Sequence, residues 1–166
     1  GNDGVLMSSL SRLGGLAVGL VRRVVPRPRL SARQAYARWA ASGVDEQMTG
    51  TLRFASGLLA QFDCALSLER REFYEVAGTD GRLMLPVAFL PGTAETTIRQ
   101  GQGRKGETVH TIAGVDEYQL MVEHFVDCVR NSQPFRYDAA EAAANMRTIE
   151  ALYRSARNEG KPEAVK

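Results

Sequence analysis

Long apolar runs are missing from this chain. No stretch of its 166 residues approaches the ~20 consecutive apolar residues that a bilayer-crossing helix needs, and no secretory leader pattern opens it. Cysteine is scarce: Cys64 and Cys128 stand alone, far apart in sequence. That excludes a disulfide framework and a zinc-type ligand spacing, so both read as reduced core thiols and the expected location is cytoplasmic. Histidine is equally scarce, with His110 and His124 lacking a second ligand at metal spacing, and no metal site is expected. A Gly-x-Ser-x-Gly elbow, a Walker loop and a nucleophilic cysteine constellation are absent as well. Gly1 stands where a methionine would open a complete chain, so the expectation is a fragment.

What is present looks like a soluble globular domain. Apolar residues make up 44% and charged residues 24%, enough for one domain with its own core. The net charge of +2 hides an asymmetry. Residues 1–40 hold seven arginines and one acid, Asp3, whereas the remainder carries 14 basic and 18 acidic residues. A basic arm is one way to hold nucleic acid. These arginines, however, are scattered among apolar residues with few aromatic neighbours, so no nucleic-acid or membrane partner is expected.

Periodicity divides the chain into strands followed by helices. Val5, Leu6, Leu10, Leu13, Leu16, Ala17 and Leu20 have helical spacing, weakened by Gly14, Gly15 and Gly19 and ended by Pro26 and Pro28. Residues 30–40 fit either a strand or a short helix. Thr49 to Phe54, then Leu58 to Leu66 with alternating apolar positions, read as two strands around Ala55-Ser56-Gly57. Glu72 to Ala77 enters a Gly78-Thr79-Asp80-Gly81 turn whose glycines are suited to positive φ. Glu95 to Gln100 and Glu107 to Ile112 form a further pair, and short turns throughout imply antiparallel pairing. Tyr118, Met121, Val122, Phe125 and Val129 then mark an amphipathic helix over 117–130. A second helix opens with Asp138 as N-cap and Glu141 three residues on, and ends at Gly160 and Pro162. Lys161 to Lys166 reads as a frayed tail.

Candidate chemistry is thin. Gly101, Gly103 and Gly106 match Gly-x-Gly-x-x-Gly, but a dinucleotide fingerprint needs a strand before it and a helix after it. Here a strand follows, so the motif reads as a hairpin loop, with Arg104 and Lys105 facing solvent. His124 has Asp127 three residues on as the neighbour that would orient it for proton transfer; otherwise it is a helix-surface residue. Asp45, Glu46, Asp63, Glu69, Glu72 and Glu75 crowd the strand region, yet nothing pairs any two as acid and base. From the residues alone this is an α+β domain without a visible active site.

Three motifs in order carry a resemblance. Residues 51–62, Thr-Leu-Arg-Phe-Ala-Ser-Gly-Leu-Leu-Ala-Gln-Phe, the hairpin from Glu75 to Leu83, and the helical stretches 124–130 and 145–156 resemble the glucose-fructose oxidoreductase/inositol dehydrogenase (Gfo/Idh/MocA) family over residues 44–158. The xylose and dihydrodiol dehydrogenase branch is nearest. The resemblance implies an α+β C-terminal domain with a large, mostly antiparallel sheet, helices packed on one face, and no Rossmann domain in this chain. It implies a substrate-binding and oligomerisation domain, 31–166, behind an atypical helix and basic connector, 1–30. The parent enzyme would be an NAD(P)-dependent oxidoreductase for a sugar, polyol or diol, assembled through the sheet into a homo-oligomer. NAD or NADP would bind the missing N-terminal Rossmann domain, with no cofactor-binding residue in this fragment.

The entry helix departs from the family pattern. Ser8 and Arg12 occupy the positions of the family's aspartate and its His or Tyr, so no catalytic residue is expected to be retained. A serine is no carboxylate, and an arginine stays protonated near neutral pH. Two accounts stand open: a degenerate, non-catalytic sheet-mediated dimerisation module, or a frame-shifted coding segment over residues 8–28.

Overall fold

The computed structural model describes residues 30–103 and 105–164. The helix expected over residues 5–22 lies outside them, as do Ser8, Arg12 and Arg104. The described chain has strands β1 (Leu30–Trp39), β2 (Asp45–Phe54), β3 (Leu59–Ala65), β4 (Tyr74–Ala77), β5 (Arg82–Leu85), β6 (Thr96–Gly101) and β7 (Glu107–Ile112), helices α1 (Glu117–Arg130) and α2 (Ala139–Arg157), and a short closing strand β8 (Glu163–Ala164). The class is α+β, every strand pairing is antiparallel, and the strands form two four-stranded sheets, β3-β2-β1-β8 and β4-β5-β6-β7. The chain divides into two compact units, residues 69–136 forming one and the flanking residues the other.

In the flanking unit, residues 30–40 resolve as a strand. β-branching and aromatic bulk on β1 and β2 suit a half-buried sheet, and alternation sends Met48, Leu52 and Phe54 of β2 to one face. They meet Ala35 of β1, Cys64 of β3, and Ile149 and Leu152 of α2 in one apolar cluster. Gly50 sits in that face because a Cβ there would come within 2.8 Å of both the Gln34 carbonyl and the Phe62 ring. Asp138 caps α2, accepting from the Glu141 N–H at 2.8 Å, and the helix ends where Gly160 takes φ +73. The expected frayed tail is instead partly a strand: β8 pairs Ala164 with Ala32 and Glu163 with Arg33, and Arg154 holds Glu163 at 3.4 Å. A two-residue pairing leaves no periodic signal to read.

In the other unit, α1 spans the expected residues, capped by Asp116, which accepts from the Tyr118 and Gln119 N–H groups. Cys128 alone of this helix is buried, and the stripe from Tyr118 to Val129 is exposed. The hairpin between β4 and β5 pairs Ala77 with Arg82, leaving the expected four-residue turn. Its glycines do not supply positive φ. The Gly78 N–H bonds the Gly81 carbonyl at 2.8 Å, and Gly81 is required by proximity: a Cβ there would lie 2.6 Å from the Gly101 carbonyl oxygen of β6.

Candidate functional site

The Gly-x-Gly-x-x-Gly segment joins β6 to β7. Gly103 and Gly106 take positive φ, and the Lys105 N–H bonds the Gln102 carbonyl at 3.0 Å. Strand β7 rather than a helix follows it, so the segment lacks the strand-to-helix arrangement of a dinucleotide fingerprint. The six carboxylates are also divided: Asp45, Glu46 and Asp63 lie in one unit, Glu69, Glu72 and Glu75 in the other. Asp45 is buried and accepts from the Tyr153 hydroxyl at 2.8 Å. Glu46 pairs with Arg38 at 3.4 Å, and Glu72 takes the Arg70 guanidinium. Asp45, Glu46 and Glu72 thus accept from neighbouring side chains.

The histidines find partners that spacing did not indicate. His124 accepts the Arg136 backbone N–H at Nε2 over 3.3 Å, and the Cys128 Sγ lies 3.6 Å from that nitrogen. These contacts, rather than Asp127, meet the ring. Cys128 also approaches the Pro134 carbonyl at 3.6 Å, and Phe125 stacks on Phe135 at 5.4 Å. Together these contacts tie the segment after α1 back onto the helix. His110 on β7 reaches Gln100 on β6, ring Nε2 to amide Oε1, at 2.9 Å. Among the described residues no three of His, Cys, Asp and Glu gather as metal ligands.

A concavity among the described residues bears on binding. A groove of about 310 Å³ lies at the β4–β5 hairpin, lined by Val76, Asp80, Arg82, Leu83, Gln100 and Gln102 with Gly78, Gly81 and Gly101. The register sets Val76, Leu83 and Gln100 in one cross-strand row. Arg82, in the neighbouring row, is 3.8 Å from Glu75 and 3.8 Å from Glu107. Burial raises the Tyr74 phenol above its ordinary value in β4. Sequence spacing did not single out this groove, because its lining comes from three strands and two loops.

Comparison with known proteins agrees with this architecture. Residues 21–164 match the family described as "Oxidoreductase family, C-terminal alpha/beta domain" of the Gfo/Idh/MocA group. A "D-xylose 1-dehydrogenase (NADP(+)) 2" of Haloferax volcanii is 34% identical over 116 residues, 69% of this chain and 35% of that protein. An aldose-aldose oxidoreductase from Caulobacter crescentus, solved with glycerol, superposes with a TM-score of 0.81 at 20% identity, over 95% of this chain and 47% of that one. A 3-ketoreductase from Actinomadura kijaniata, solved with NADP, superposes with a TM-score of 0.78 at 14% identity, over 89% of this chain and 47% of that one. At such identities the solved structures speak for the fold alone. The chain spans about a third of the xylose dehydrogenase and about half of each solved structure.

Proposed function

Because this chain belongs to the Gfo/Idh/MocA oxidoreductase family, as its C-terminal α/β domain, we propose that it is the substrate-binding and oligomerisation domain of an NAD(P)-dependent dehydrogenase acting on a sugar, polyol or diol. The observation that carries this reading is the 34% identity to a D-xylose dehydrogenase, which runs across 69% of the chain. In this reading the sheet domain is residues 31–166, and residues 1–30 lead into it. The protein works in the cytoplasm as a homo-oligomer joined through its sheet.

The division of labour follows from what the residues offer. The described glycine loop does not suit a dinucleotide, so the nicotinamide cofactor and its hydride chemistry belong to an N-terminal domain outside this chain. The sheet contributes rigid backbone on which to hold a hydroxylated substrate, in keeping with sites built on strands. By itself the chain is inactive and binds neither NAD nor NADP. Calorimetric titration of this chain with each dinucleotide tests that: heat at micromolar concentration refutes it. Fusing the chain behind a family-type cofactor domain and assaying D-xylose oxidation tests the enzymatic reading.

A second reading is supported by Ser8 and Arg12. If that pair is the true sequence, the chain is a sheet-mediated dimerisation module that has lost the family's proton-transfer residues. Turnover by the fused protein rejects this alternative, and resequencing the coding DNA over residues 7–30 separates divergence from a frame shift.

A further inference from the structure

Helix α1 runs for 14 residues, about 20 Å, and its apolar residues gather on one stripe. Tyr118, Met121, Val122, Phe125 and Val129 recur at the spacing of a single helix face, and each is more than half exposed. The segment that returns onto the helix meets it at His124 and Cys128, beside this stripe. Among the described residues, no strand of the same unit packs along the helix. Phe135, stacked on Phe125 and itself exposed, widens the apolar surface.

Charge keeps off the stripe. At about 100° per residue, Glu123, Asp127 and Arg130 fall on the opposite half of the helix, as does Leu120. The stripe leaves on the order of 500 Å² of apolar surface bare, large for a monomer. Its ends differ in sign, since Asp116 and Glu117 open the helix and Arg130 closes it. The pattern also matches itself. A second copy, turned antiparallel about a two-fold axis level with the midpoint of Glu123 and His124, sets Tyr118 opposite Val129 and Val122 opposite Phe125. The same turn brings the acidic first turn of one helix level with Arg130 of the other and opposes the helix dipoles. A parallel pairing aligns like charges at both ends and is disfavoured.

We propose that the α1 stripe docks on the same stripe of a second copy of this chain, antiparallel and two-fold, through Tyr118, Val122, Phe125 and Val129. A two-fold contact uses one patch twice and needs a surface complementary to itself. Positions equidistant from the axis supply that here, apolar against apolar in the middle and acid against base at the ends. Two such stripes remove on the order of 1,000 Å² from water, the size at which specific interfaces begin. A dimer in the micromolar range is therefore expected rather than a permanent one. This contact is separate from the sheet and goes beyond the sheet-joined oligomer of the proposed function.

Sedimentation velocity of the full chain across the micromolar range reads the contact directly. Met121→Glu and Val122→Glu, both at exposed positions, put a carboxylate against the other copy and should each weaken association at least tenfold. Leu120→Glu, on the opposite side of the helix, should leave it unchanged, with far-ultraviolet circular dichroism confirming the fold of all three. Cysteine cross-linking then tests the register. A chain carrying both Tyr118→Cys and Val129→Cys should oxidise to a covalent dimer, and neither single variant should. Equal positions lie about 16 Å apart along such an antiparallel pair, beyond the reach of a disulfide. A chain monomeric throughout, association unchanged by Val122→Glu, equal weakening by Leu120→Glu, or a covalent dimer from Tyr118→Cys alone overturns the proposal. The two readings fail separately. An oligomer that keeps its mass in Val122→Glu sinks this contact and leaves the sheet-joined enzyme standing. Association lost in Val122→Glu, beside a fused enzyme inactive on every sugar, does the reverse.

Discussion

The hydroxyl of Ser155 on α2 accepts a hydrogen bond from the backbone N–H of Ala35 on β1 at 3.0 Å, with both residues fully buried. β8 covers β1 only at Ala32 and Arg33, so beyond them the helix side chain takes the place of a neighbouring strand. A buried N–H must find a partner, and here it finds one 120 residues away. Ser155→Ala leaves that donor in an apolar setting, at a cost of about 1–3 kcal/mol. Urea unfolding should show a lower midpoint with an unchanged slope, and the Ala35 amide should exchange faster. An unchanged midpoint rejects the assignment.

The hairpin glycines should respond unequally. A Cβ at Gly81 meets the Gly101 carbonyl at 2.6 Å, while one at Gly78 finds nothing closer than 3.9 Å. The obstacle at Gly81 is backbone and moves only with the strand. Gly81→Ala is expected to destabilise the chain by about 1–3 kcal/mol, the usual cost of overpacking, and Gly78→Ala by much less. Thermal denaturation of the two variants side by side decides it; equal effects contradict the close-approach account.

Tyr74 gives the sheet of the hairpin unit a pH limit. Burial favours the neutral phenol, so its pKa in the folded chain is higher than in the unfolded chain. The folded state then holds its proton when the unfolded state has released it, and stability falls as pH rises. The contribution is complete below the ordinary phenol value of about 10 and is lost above it. Tyr74→Phe should remove this part of the alkaline loss. Tyrosinate absorbance, with unfolding followed at rising pH in both proteins, provides the check, and identical alkaline profiles count against it.

Under the proposal that Ser8 and Arg12 stand where the family has its aspartate and its His or Tyr, restoring those residue types is a direct test. In a fusion with a cofactor domain, Ser8→Asp with Arg12→Tyr should raise kcat by about 10²–10⁴-fold, the usual worth of positioned proton transfer. Steady-state kinetics on D-xylose measure it. No gain in the double variant rejects the assignment of these two positions.

Much of the fold was legible in local pattern. The strand from Glu107 to Ile112 and the helix from Glu117 to Arg130 have the limits that alternation and the 3.6-residue repeat indicate. Asp138 announced its helix because a capping carboxylate works over three residues. The candidate groove was not legible, since Val76, Leu83 and Gln100 meet only through register across three strands. The partner of His124 was not legible for the same reason: Arg136 reaches it through a reversal of the chain.

By itself, then, the sequence indicated most of the strands and both described helices, left residues 30–40 open between strand and helix, and pointed to the family through the order of its motifs. These follow from interactions within a few residues and from motifs that survive as linear text. Only the tertiary structure decided that β8 and Ser155 complete β1, that Gly81 is needed for close approach rather than for its φ, and that Val76, Leu83 and Gln100 share one groove. Each depends on distances between residues far apart in the chain, set by ladder register and packing, which no local period encodes.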